Sequence, residues 1–442
     1  MMNNEHGHVA VVGGGPAGMV LGLLLARAGV PVTVLEKHAD FLRDFRGDTV
    51  HASTLTLLDE LGLGERFAAL PQRRLERATV QLDAGAARIA DLSRLPGAHR
   101  HIALVPQWDF LDLLADAAAQ EPGFALVRNA EVTGLLREGS RVTGVRYADR
   151  TTGTVHDLPA TLTVACDGRG SAVRAAAGLR PRSFGVPMDV WWFRLPRRAD
   201  DPEGGVGRFT TGQFAVGIDR GDYWQIAYLI RKGADAPLRA EGIAAFRARI
   251  AALLPWLGDR VDELASLDDV KLLEVRLERL RRWYADGLLL IGDAAHAMSP
   301  VGGVGINLAV ADAVAAARIL APLLRDGGPV PVAALRQVQL RRWWPTALIQ
   351  AAQRIAHRAV LGRALTGQVP AVPAGRGGAI GLGGAGDLAL ADPADLPQPL
   401  RLLRRFPLLQ GIPARLIAIG PLPEHAPAWA RRRPQPADTA RP

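Results

Sequence analysis

The chain has 442 residues, of which 48% are apolar and 22% are charged. This composition is typical of a globular protein, and the length predicts two or three packed units. The formal net charge of +9 comes mostly from arginines spread along the whole chain, which does not indicate a nucleic-acid-binding module, although the positive field favours anionic ligands. Cys166 is the only cysteine, which excludes an intramolecular disulfide and a redox-active dithiol.

The N-terminus carries no basic region ahead of its first apolar stretch, and no run of about 18 uninterrupted apolar residues follows. We therefore expect a cytoplasmic protein, monomeric or homodimeric. We expect no integral membrane segment, no metal site and no nucleic-acid partner.

A glycine-rich turn at residues 13–18, the first glycine turn, lies between a strand-like apolar run and a helix-like run. Gly13 permits a tight turn, Gly15 lets the backbone approach a phosphate, and Gly18 lets helix and strand pack closely. The order of strand, turn and helix predicts a dinucleotide whose pyrophosphate lies at the helix N-terminus. The cofactor contacts expected here are Gly13, Gly15, Pro16, Ala17 and Gly18.

A second apolar strand, residues 31–35, delivers Glu36 at the spacing where a dinucleotide fold places an acidic residue. Its carboxylate would accept hydrogen bonds from ribose hydroxyls and would disfavour a ribose 2′-phosphate, so the site is expected to hold FAD or NAD. Lys37 adjoins this acid and is placed in the same cofactor set. The glycine spacing recurs at residues 381–386, but no strand precedes it, and we interpret that stretch as a flexible loop.

Further elements are expected before residue 178. Residues 53–62 predict an amphipathic helix with a serine or threonine cap and a glycine stop, and residues 109–120 predict another helix. Residues 124–146 predict two short strands joined at residues 138–140. Residues 161–165 predict a buried apolar strand.

From residue 182 to residue 275 the pattern becomes rich in strands, several of which carry aromatic residues. We expect a sheet-based substrate domain whose inner face forms one wall of a pocket, although plain packing in the core explains most of the individual rings. A helix over residues 243–254 is expected to close this insertion.

A second glycine-rich turn, residues 300–305, follows the strand at residues 287–293 and is called the second glycine turn. Helices are predicted at residues 306–324 and 332–361. The Gly-, Ala- and Pro-rich residues 368–397 predict irregular structure. The apolar tail at residues 406–419 is expected to dock on the body, with a dimer contact or a membrane contact as alternatives.

Three fingerprints follow one another at characteristic spacings, and together they resemble the class A FAD-dependent monooxygenases. This family includes para-hydroxybenzoate hydroxylase and the ubiquinone-biosynthesis hydroxylases. The fingerprints are the first glycine turn with Glu36, Cys166-Asp167-Gly168-Arg169-Gly170-Ser171-Ala172-Val173-Arg174, and Gly292-Asp293-Ala294-Ala295-His296.

The resemblance implies an α/β fold with a Rossmann-like FAD-binding domain of the glutathione reductase type, an inserted β-sheet substrate domain and a helical C-terminal extension. The expected boundaries are 6–75, 101–178 and 276–330 for the FAD-binding domain, 76–100 and 179–275 for the substrate domain, and 331–442 for the helical C-terminal region with its irregular Gly- and Pro-rich segment.

The resemblance also implies cofactor contacts beyond the first glycine turn. Asp293, next to Gly292, would hold ribose or ribityl hydroxyls, and Asp167 would contact the cofactor while shaping its own loop. The other implied contacts are Arg46 beside the flavin or its phosphates, Gln107 near the ribityl chain, and the backbone of Val132 against adenine.

The second glycine turn would lie along the flavin ring in this family. The backbone N–H groups at Gly305, Ile306 and Asn307 would point from a helix N-terminus at the pyrimidine edge of the ring, where the helix dipole stabilises the anionic reduced flavin. The turn itself would contribute backbone at Pro300, Gly302 and Gly303.

The implied activity is that of a monooxygenase with tightly bound FAD, with NADPH or NADH as a transient electron donor and dioxygen as co-substrate. A flavin hydroperoxide would hydroxylate an electron-rich ring of an aromatic or polyketide-like small molecule. A pocket base would raise the nucleophilicity of a phenol, and Tyr228, His51 and His101 are the candidates. His296 is expected to be structural.

The sequence leaves further activities of the same fold open. The Trp191-Trp192 pair resembles a halogenase motif, but halogenase chemistry uses a lysine in a tunnel, and the chain's lysines, Lys37, Lys232 and Lys271, fit that role poorly. An isoprenoid reductase and a non-catalytic flavoprotein are also compatible with these motifs.

Overall fold

The computed structural model describes residues 7–42, 49–82, 85–201, 205–210, 212–358 and 398–433. Its central layer is a six-stranded sheet, the nucleotide sheet, which is parallel except for one antiparallel edge strand. Its inner strands are apolar and buried, as parallel strands covered on both faces are. In spatial order the strands are Tyr284–Ala285, Leu288–Leu290, Leu162–Ala165, Val9–Val12, Val32–Leu35 and Phe124–Val127.

Successive side chains of a strand point to opposite faces, so the nucleotide sheet builds two cores. Val9 and Val11 pack with three helices on one face, whereas Ala10 and Val12 pack with a small antiparallel sheet on the other. The arrangement of helices, parallel sheet and antiparallel sheet is the α/β architecture expected from the sequence. The helices are Pro16–Arg27, Gln107–Ala119 and Gly305–Arg325, and the small sheet contains Ala130–Glu138, Arg141–Asp149 and Val155–Pro159.

The expectation of two strands between residues 124 and 146 is wrong, because the structure forms three. The hairpin at residues 138–140 is where the pattern placed it, but the first strand, Phe124–Val127, belongs to the nucleotide sheet. Asn129 has a φ of 57°, in the left-handed region that few residues other than glycine adopt, and this turn separates the two sheets.

A seven-stranded sheet, the substrate sheet, forms the second large unit. One face is covered by the helix Gly242–Leu253, whose Phe246 contacts Trp191 and Phe193 edge-on. In spatial order the strands are Lys271–Leu273, Met188–Pro196, Tyr223–Arg231, Gln213–Asp219, Gly205–Thr210, Arg77–Leu82 and Gly85–Asp91.

The helix predicted at residues 53–62 lies at Ala52–Glu60, and its N-cap is His51, with no side-chain cap. The expected serine or threonine cap is wrong because the hydroxyls of Ser53 and Thr54 are used in tertiary contacts with Asn307. The helix predicted at residues 109–120 begins two residues earlier, at Gln107.

The remaining short elements connect these layers. The two-residue strand Arg182–Ser183 pairs with Glu278–Arg279, and Thr49–Val50 joins Ile102–Leu104 and Arg73–Leu75. The shorter helices are Gly64–Ala68, Ala172–Ala176 and Asp235–Ala240, with 3-10 turns at Leu92–Arg94, Pro255–Glu263, Leu267–Asp269, Gly292–Ala294, Pro407–Gln410 and Ala428–Ala430.

The helix Gly305–Arg325 alone, among the described residues, is long and apolar enough to cross a membrane, but 67% of its apolar window is buried inside the protein. The long helix that follows it is Val332–Ala356. The irregular segment predicted at residues 368–397 and the repeated glycine spacing at residues 381–386 lie outside the described residues.

The C-terminal segment, residues 398–433, contains the helices Gln398–Arg405 and Gly411–Ala418. It docks on the body, as expected: Ala414 and Ala418 are buried, and the Ala430 carbonyl accepts a hydrogen bond from Arg27. The apolar side chain of Leu408 stays 79% exposed, so this segment covers the body with one face only.

A buried charge network ties this segment to the nucleotide sheet. Asp312 is fully buried and accepts from the Gly292 amide, His296 Nε2 and Arg342 Nε at 3.1, 2.5 and 3.0 Å. Arg342 also reaches Glu424 of the C-terminal segment. Although burial alone would raise the pKa of Asp312, His296 and Arg342 hold that pKa below its ordinary value.

Replacing Asp312 with alanine is expected to destabilise the protein by about 3–5 kcal/mol, because His296 and Arg342 would stay buried without the carboxylate that both of them contact. The free energy of unfolding is measured by urea denaturation. Asp326→Ala, at an exposed helix end, is the matched control and should change it by less than about 0.5 kcal/mol. Equal stabilities for the two variants would contradict the role of the network.

Candidate active site

Two glycines of the first glycine turn are required by the protein's own packing. Gly13 has a φ of +103°, and a Cβ there would lie 2.5 Å from the Cys166 carbonyl oxygen. A Cβ at Gly18 would lie 2.0 Å from the Gly13 carbonyl oxygen. Any larger residue at these positions therefore separates the helix Pro16–Arg27 from the strands beside it.

Gly15 differs, because a Cβ there would meet no atom of the described residues within 4 Å, apart from its chain neighbours. It is the N-cap of the helix that begins at Pro16, and no described side chain caps this helix end. The first amides of a helix carry partial positive charge and lack partners within the helix. The open space at Gly15 therefore suits a phosphate group that accepts from this helix end.

Glu36 lies at the end of the strand Val32–Leu35 and is buried beside the first glycine turn. Its carboxylate accepts hydrogen bonds from the amides of Gly14 and His38, at 2.9 and 3.0 Å. The carboxylate, whose two oxygens are hydrogen-bond acceptors, is thus held in a fixed orientation beside the first glycine turn. Lys37 is exposed, and its role as a cofactor contact stays a prediction.

Asp167 carries an acceptor atom that the described residues leave unpaired. Its Oδ2 accepts from the Val173 amide at 3.1 Å, while its buried Oδ1 has no hydrogen-bond partner. Burial raises the pKa of Asp167. An unpaired buried acceptor is costly, and a ligand hydroxyl would satisfy it. Asp167 borders Gly13, so this acceptor lies next to the first glycine turn.

The Gly292 turn brings distant parts of the chain together. A Cβ at Gly292, which has a φ of +58°, would lie 3.4 Å from Ala17 and 3.3 Å from Ala309. This turn therefore lies between the helix after the first glycine turn and the helix after the second. Its neighbour Asp293 is half-buried, with Oδ2 3.4 Å from Arg169 Nη2.

The second glycine turn is a tight loop held by Thr49. Gly302 and Gly303 have φ values of +82° and +63°, and the Gly303 amide donates to the Pro300 carbonyl at 3.0 Å. Thr49 Oγ1 donates to the Gly303 carbonyl at 2.9 Å. A Cβ at Gly305, where the next helix begins, would meet none of the described residues within 4 Å, so this part of the structure leaves the helix end open to a ligand.

Asn307 does two things in this first helical turn. Its side-chain oxygen accepts hydrogen bonds from Ser53 and Thr54, at 3.0 and 2.5 Å, which ties the helix end to Ala52–Glu60. The backbone amides at Gly305, Ile306 and Asn307 belong to a helix end without a side-chain cap. No sequence pattern predicts the Ser53 and Thr54 contacts, because they join residues about 250 positions apart.

All of these cofactor contacts stay predictions, and so do those at Gln107, Val132 and Arg46. Gln107 is the first residue of its helix and is half-buried. Val132 is 9% exposed and packs into the core beneath the small antiparallel sheet. Arg46 lies outside the described residues.

The placement of Tyr228 in a substrate pocket needs correction. Its ring packs edge-on against Phe246 of the covering helix, and its hydroxyl lies 3.4 Å from Gln213 Oε1. Burial raises the pKa of this phenol. Because strand residues alternate between faces, the neighbouring Leu229 packs instead in the cluster that includes Val301 of the second glycine turn.

His51 lies where the C-terminal segment meets the second glycine turn. Its ring is fully buried, and Nδ1 lies 2.8 Å from the Ile417 carbonyl oxygen, to which it donates. Burial lowers the pKa of His51 to about 4, although the carbonyls of Ile417 and Gly303 oppose this. The Ile417 side chain lies within 4 Å of a Cβ built at Gly302. His51 therefore serves as an anchor of the C-terminal segment. His101, the other histidine candidate, is half-buried and lies beside His99.

Comparison with known proteins decides the family. A family model described as FAD binding domain matches residues 6–332. A 6-methylpretetramide 4-monooxygenase of Streptomyces rimosus is 37% identical over 335 residues, which cover 73% of this chain and 77% of that protein. The chain belongs to the class A FAD-dependent monooxygenases. The open helix ends and the unpaired Asp167 oxygen of this monooxygenase fit FAD.

Two further matches extend this comparison. A 12-dehydrotetracycline 5-monooxygenase/anhydrotetracycline 6-monooxygenase of Streptomyces rimosus is 31% identical over 69% of this chain and 61% of its own length. The crystal structure of PqsL from P. aeruginosa in complex with 2-aminobenzoylacetate has a TM-score of 0.69 at 21% identity, covering 82% of this chain and 98% of that one. At 21% identity, the likeness to PqsL shows a shared fold and nothing about the activity.

Gly15→Ala is expected to weaken FAD binding by at least about tenfold, the equivalent of 1.4 kcal/mol, because the added methyl group enters the space left for phosphate. The protein should still fold, since among the described residues that methyl meets no atom within 4 Å beyond its chain neighbours. The measurement is a titration of the apoprotein with FAD, followed by flavin fluorescence.

The matched control is Gly328→Ala, because Gly328 has an ordinary φ and open space around it and lies beyond the C-terminal end of the helix Gly305–Arg325. Gly328→Ala should therefore bind FAD like the wild type. Unchanged FAD affinity in Gly15→Ala would contradict the assignment of this space to the phosphates.

The buried His51 predicts a loss of stability in acid. The unfolded chain protonates this histidine near its ordinary pKa of 6.5, whereas the folded protein resists protonation until about pH 4. Its contribution is therefore present above pH 6.5 and falls by about 2 kcal/mol between pH 7 and pH 5. His51→Asn, whose amide can still donate to Ile417, should lose less stability over that range.

The free energy of unfolding is measured in urea at both pH values for wild type and variant. His156→Asn, at an exposed strand position, is the control and should keep the wild-type slope. An identical slope for His51→Asn would show that His51 does not titrate in this way.

Proposed function

We propose that this monooxygenase hydroxylates a polycyclic aromatic, polyketide-like small molecule, with NADPH or NADH as the electron donor and dioxygen as co-substrate. The observation that supports it most is an apolar, half-buried face of the substrate sheet that lies against the second glycine turn. The 37% identical relative is a 6-methylpretetramide 4-monooxygenase, which supports the same substrate class for this chain.

Aromatic side chains line this face of the sheet. Trp192, Phe209, Phe214 and Val216 are only partly buried and share a cluster with Val301 of the second glycine turn. The rings of Phe209 and Phe214 are stacked, with centroids 3.7 Å apart. A flat, apolar substrate would bury its faces against such rings. These contacts would contribute more binding free energy than contacts with polar side chains.

The C-terminal segment supplies a second boundary. Ile417 packs with Val304, Leu277 and Met298 and borders Gly302. This segment covers the second glycine turn from the side of the His51 anchor. We propose that it limits access of water to the reacting atoms, which strengthens the electrostatic interactions there.

Bound FAD would supply the redox chemistry, accepting hydride from the nicotinamide and activating dioxygen. The chain's own residues would position the cofactor and stabilise the charge that develops on it. The amides of Gly305 and Ile306, at an uncapped helix end, would favour negative charge at the flavin edge by about 0.3–1 kcal/mol, and more where the edge is buried. The carboxylates of Glu36 and Asp293 would orient ribose or ribityl hydroxyls.

The halogenase alternative lacks a suitable lysine. Lys232 Nζ lies 2.7 Å from the Asp189 carboxylate and 3.0 Å from the Val275 carbonyl, so its charge is engaged. Lys37 and Lys271 are exposed. An isoprenoid reductase would give a product that gains hydrogen, and a non-catalytic flavoprotein would give no product, so product analysis distinguishes both from the proposed monooxygenase.

The test is oxidation of NADH and of NADPH by the FAD-loaded protein across a panel of phenols, quinones and polycyclic aromatics under ¹⁸O₂. We expect nicotinamide oxidation that a polycyclic phenol stimulates, and a product that gains one labelled oxygen atom. A gain of chlorine or hydrogen, or no product with any substrate, would overturn the proposal.

A pocket variant ties the activity to the proposed face of the sheet. Phe214→Ala should raise the KM for the aromatic substrate by about tenfold, because a buried ring contact contributes on the order of 1.5 kcal/mol. Its affinity for FAD should not change. The matched control is Phe406→Ala, since Phe406 is 49% exposed on the C-terminal segment.

A further inference from the structure

Three arginines lie close to a single, partly buried aromatic ring of this protein. The guanidinium carbons of Arg182, Arg279 and Arg354 lie 5.4, 5.3 and 5.4 Å from the centroid of the Phe184 ring. Arg279 also lies 4.7 Å from the ring centroid of Trp343, which is 40% exposed. We call these three arginines the arginine triad. They come from two short strands and one helix that are far apart in sequence.

The backbone forces two of these charges together. Arg182 and Arg279 are direct partners in the antiparallel pair of short strands, where like charges destabilise. Arg279 is held by a 3.0 Å hydrogen bond to Gln350 Oε1 on the helix that also carries Arg354. The geometry of the triad is therefore set by main-chain pairing and by a side-chain contact.

No carboxylate neutralises the triad within the described part of the chain, since none of its members forms an ion pair there. In addition, the buried Nε of Arg354 makes no hydrogen bond with described residues. Burial, with the positive charges of Arg182 and Arg354, lowers the pKa of Arg279. Three crowded guanidinium groups and an unpaired buried donor are the complement of an anion.

We propose that the arginine triad binds the diphosphate of the reduced nicotinamide dinucleotide, an inference that rests on the proposed function. Arginine presents planar donors that match phosphate oxygens in pairs. A diphosphate has two groups of oxygens and two negative charges or more, so it can contact more than one of these guanidiniums at once. The exposed Trp343 beside Arg279 offers a flat surface for a base.

The triad also adjoins the second glycine turn. Phe184 packs in the cluster that contains Val304 of that turn. Gln350 and Gln353, from the helix that carries Arg354, donate to the carbonyls of Ala297, Ser299 and Val301, which lead into the turn. A dinucleotide anchored at the triad would therefore lie beside the side chains that support the second glycine turn.

The test uses the FAD-loaded full chain with Arg279→Gln and Arg354→Gln. Each variant should raise the Kd of NADP⁺ or NAD⁺, measured by calorimetry, and the KM of the reduced dinucleotide by about tenfold, because a charge-assisted contact to phosphate is lost. Inorganic pyrophosphate should compete with the dinucleotide in the wild type and less in the variants. Flavin absorbance checks that each variant is folded and loaded.

Arg77→Gln is the matched control, since it removes one positive charge from an exposed strand position of the substrate sheet. It should leave the dinucleotide Kd within about twofold of the wild type. Unchanged Kd and KM in both triad variants, or an equal change in the control, would overturn the inference. Failure of the wild type to oxidise either nicotinamide would instead refute the proposed function, whereas pyrophosphate binding without dinucleotide binding would refute the triad's assignment alone.

Discussion

The structure depends on a close approach of two helices that begin at glycine turns almost three hundred residues apart. Gly292 lies between them, with Ala17 on one side and Ala309 on the other, at distances that leave no room for larger side chains. Small residues at all three positions let the helix ends converge on one region. The two open helix ends, at Gly15 and Gly305, are those that we propose to contact the same cofactor.

The same region is stabilised from behind by charges that are completely buried. Asp312 binds the Gly292 amide and Arg342, and Arg342 reaches Glu424 near the end of the chain. Burying such ions costs desolvation energy, and the result is a unique geometry rather than a large gain in stability. The C-terminal segment is consequently linked to the Gly292 turn by the Asp312 network and, separately, to the start of the helix Ala52–Glu60 by the hydrogen bond of His51 to Ile417.

The substrate sheet divides its side chains between two tasks. Trp191, Phe193 and Tyr228 face the covering helix and form a core, while Trp192 and Phe214 face the second glycine turn. Adjacent tryptophans thus have different roles because strand side chains alternate. The chain uses one sheet both to fold an independent core and to offer an apolar wall next to the proposed flavin site.

Much of the fold and the family were determined by sequence alone. The order of strand, glycine turn and helix, the acid at Glu36 and the Gly292-Asp293 pair depend on local backbone requirements, which short motifs encode. The fold class and the FAD-dependent monooxygenase family followed from them, and comparison with relatives confirmed both. The alternation of side chains along a strand is also a local property, but the register in which two strands pair depends on residues that are far apart in sequence.

Tertiary structure decided which residues meet across long separations. In the folded chain, Tyr228 packs against the covering helix. Ser53 and Thr54 bind Asn307 instead of capping their own helix. Strand pairing places Arg182 opposite Arg279. None of these contacts leaves a periodic signal, because each depends on register and on packing between elements rather than on neighbours in the chain. Local motifs specify the conformation of short segments, and only the folded chain specifies their partners.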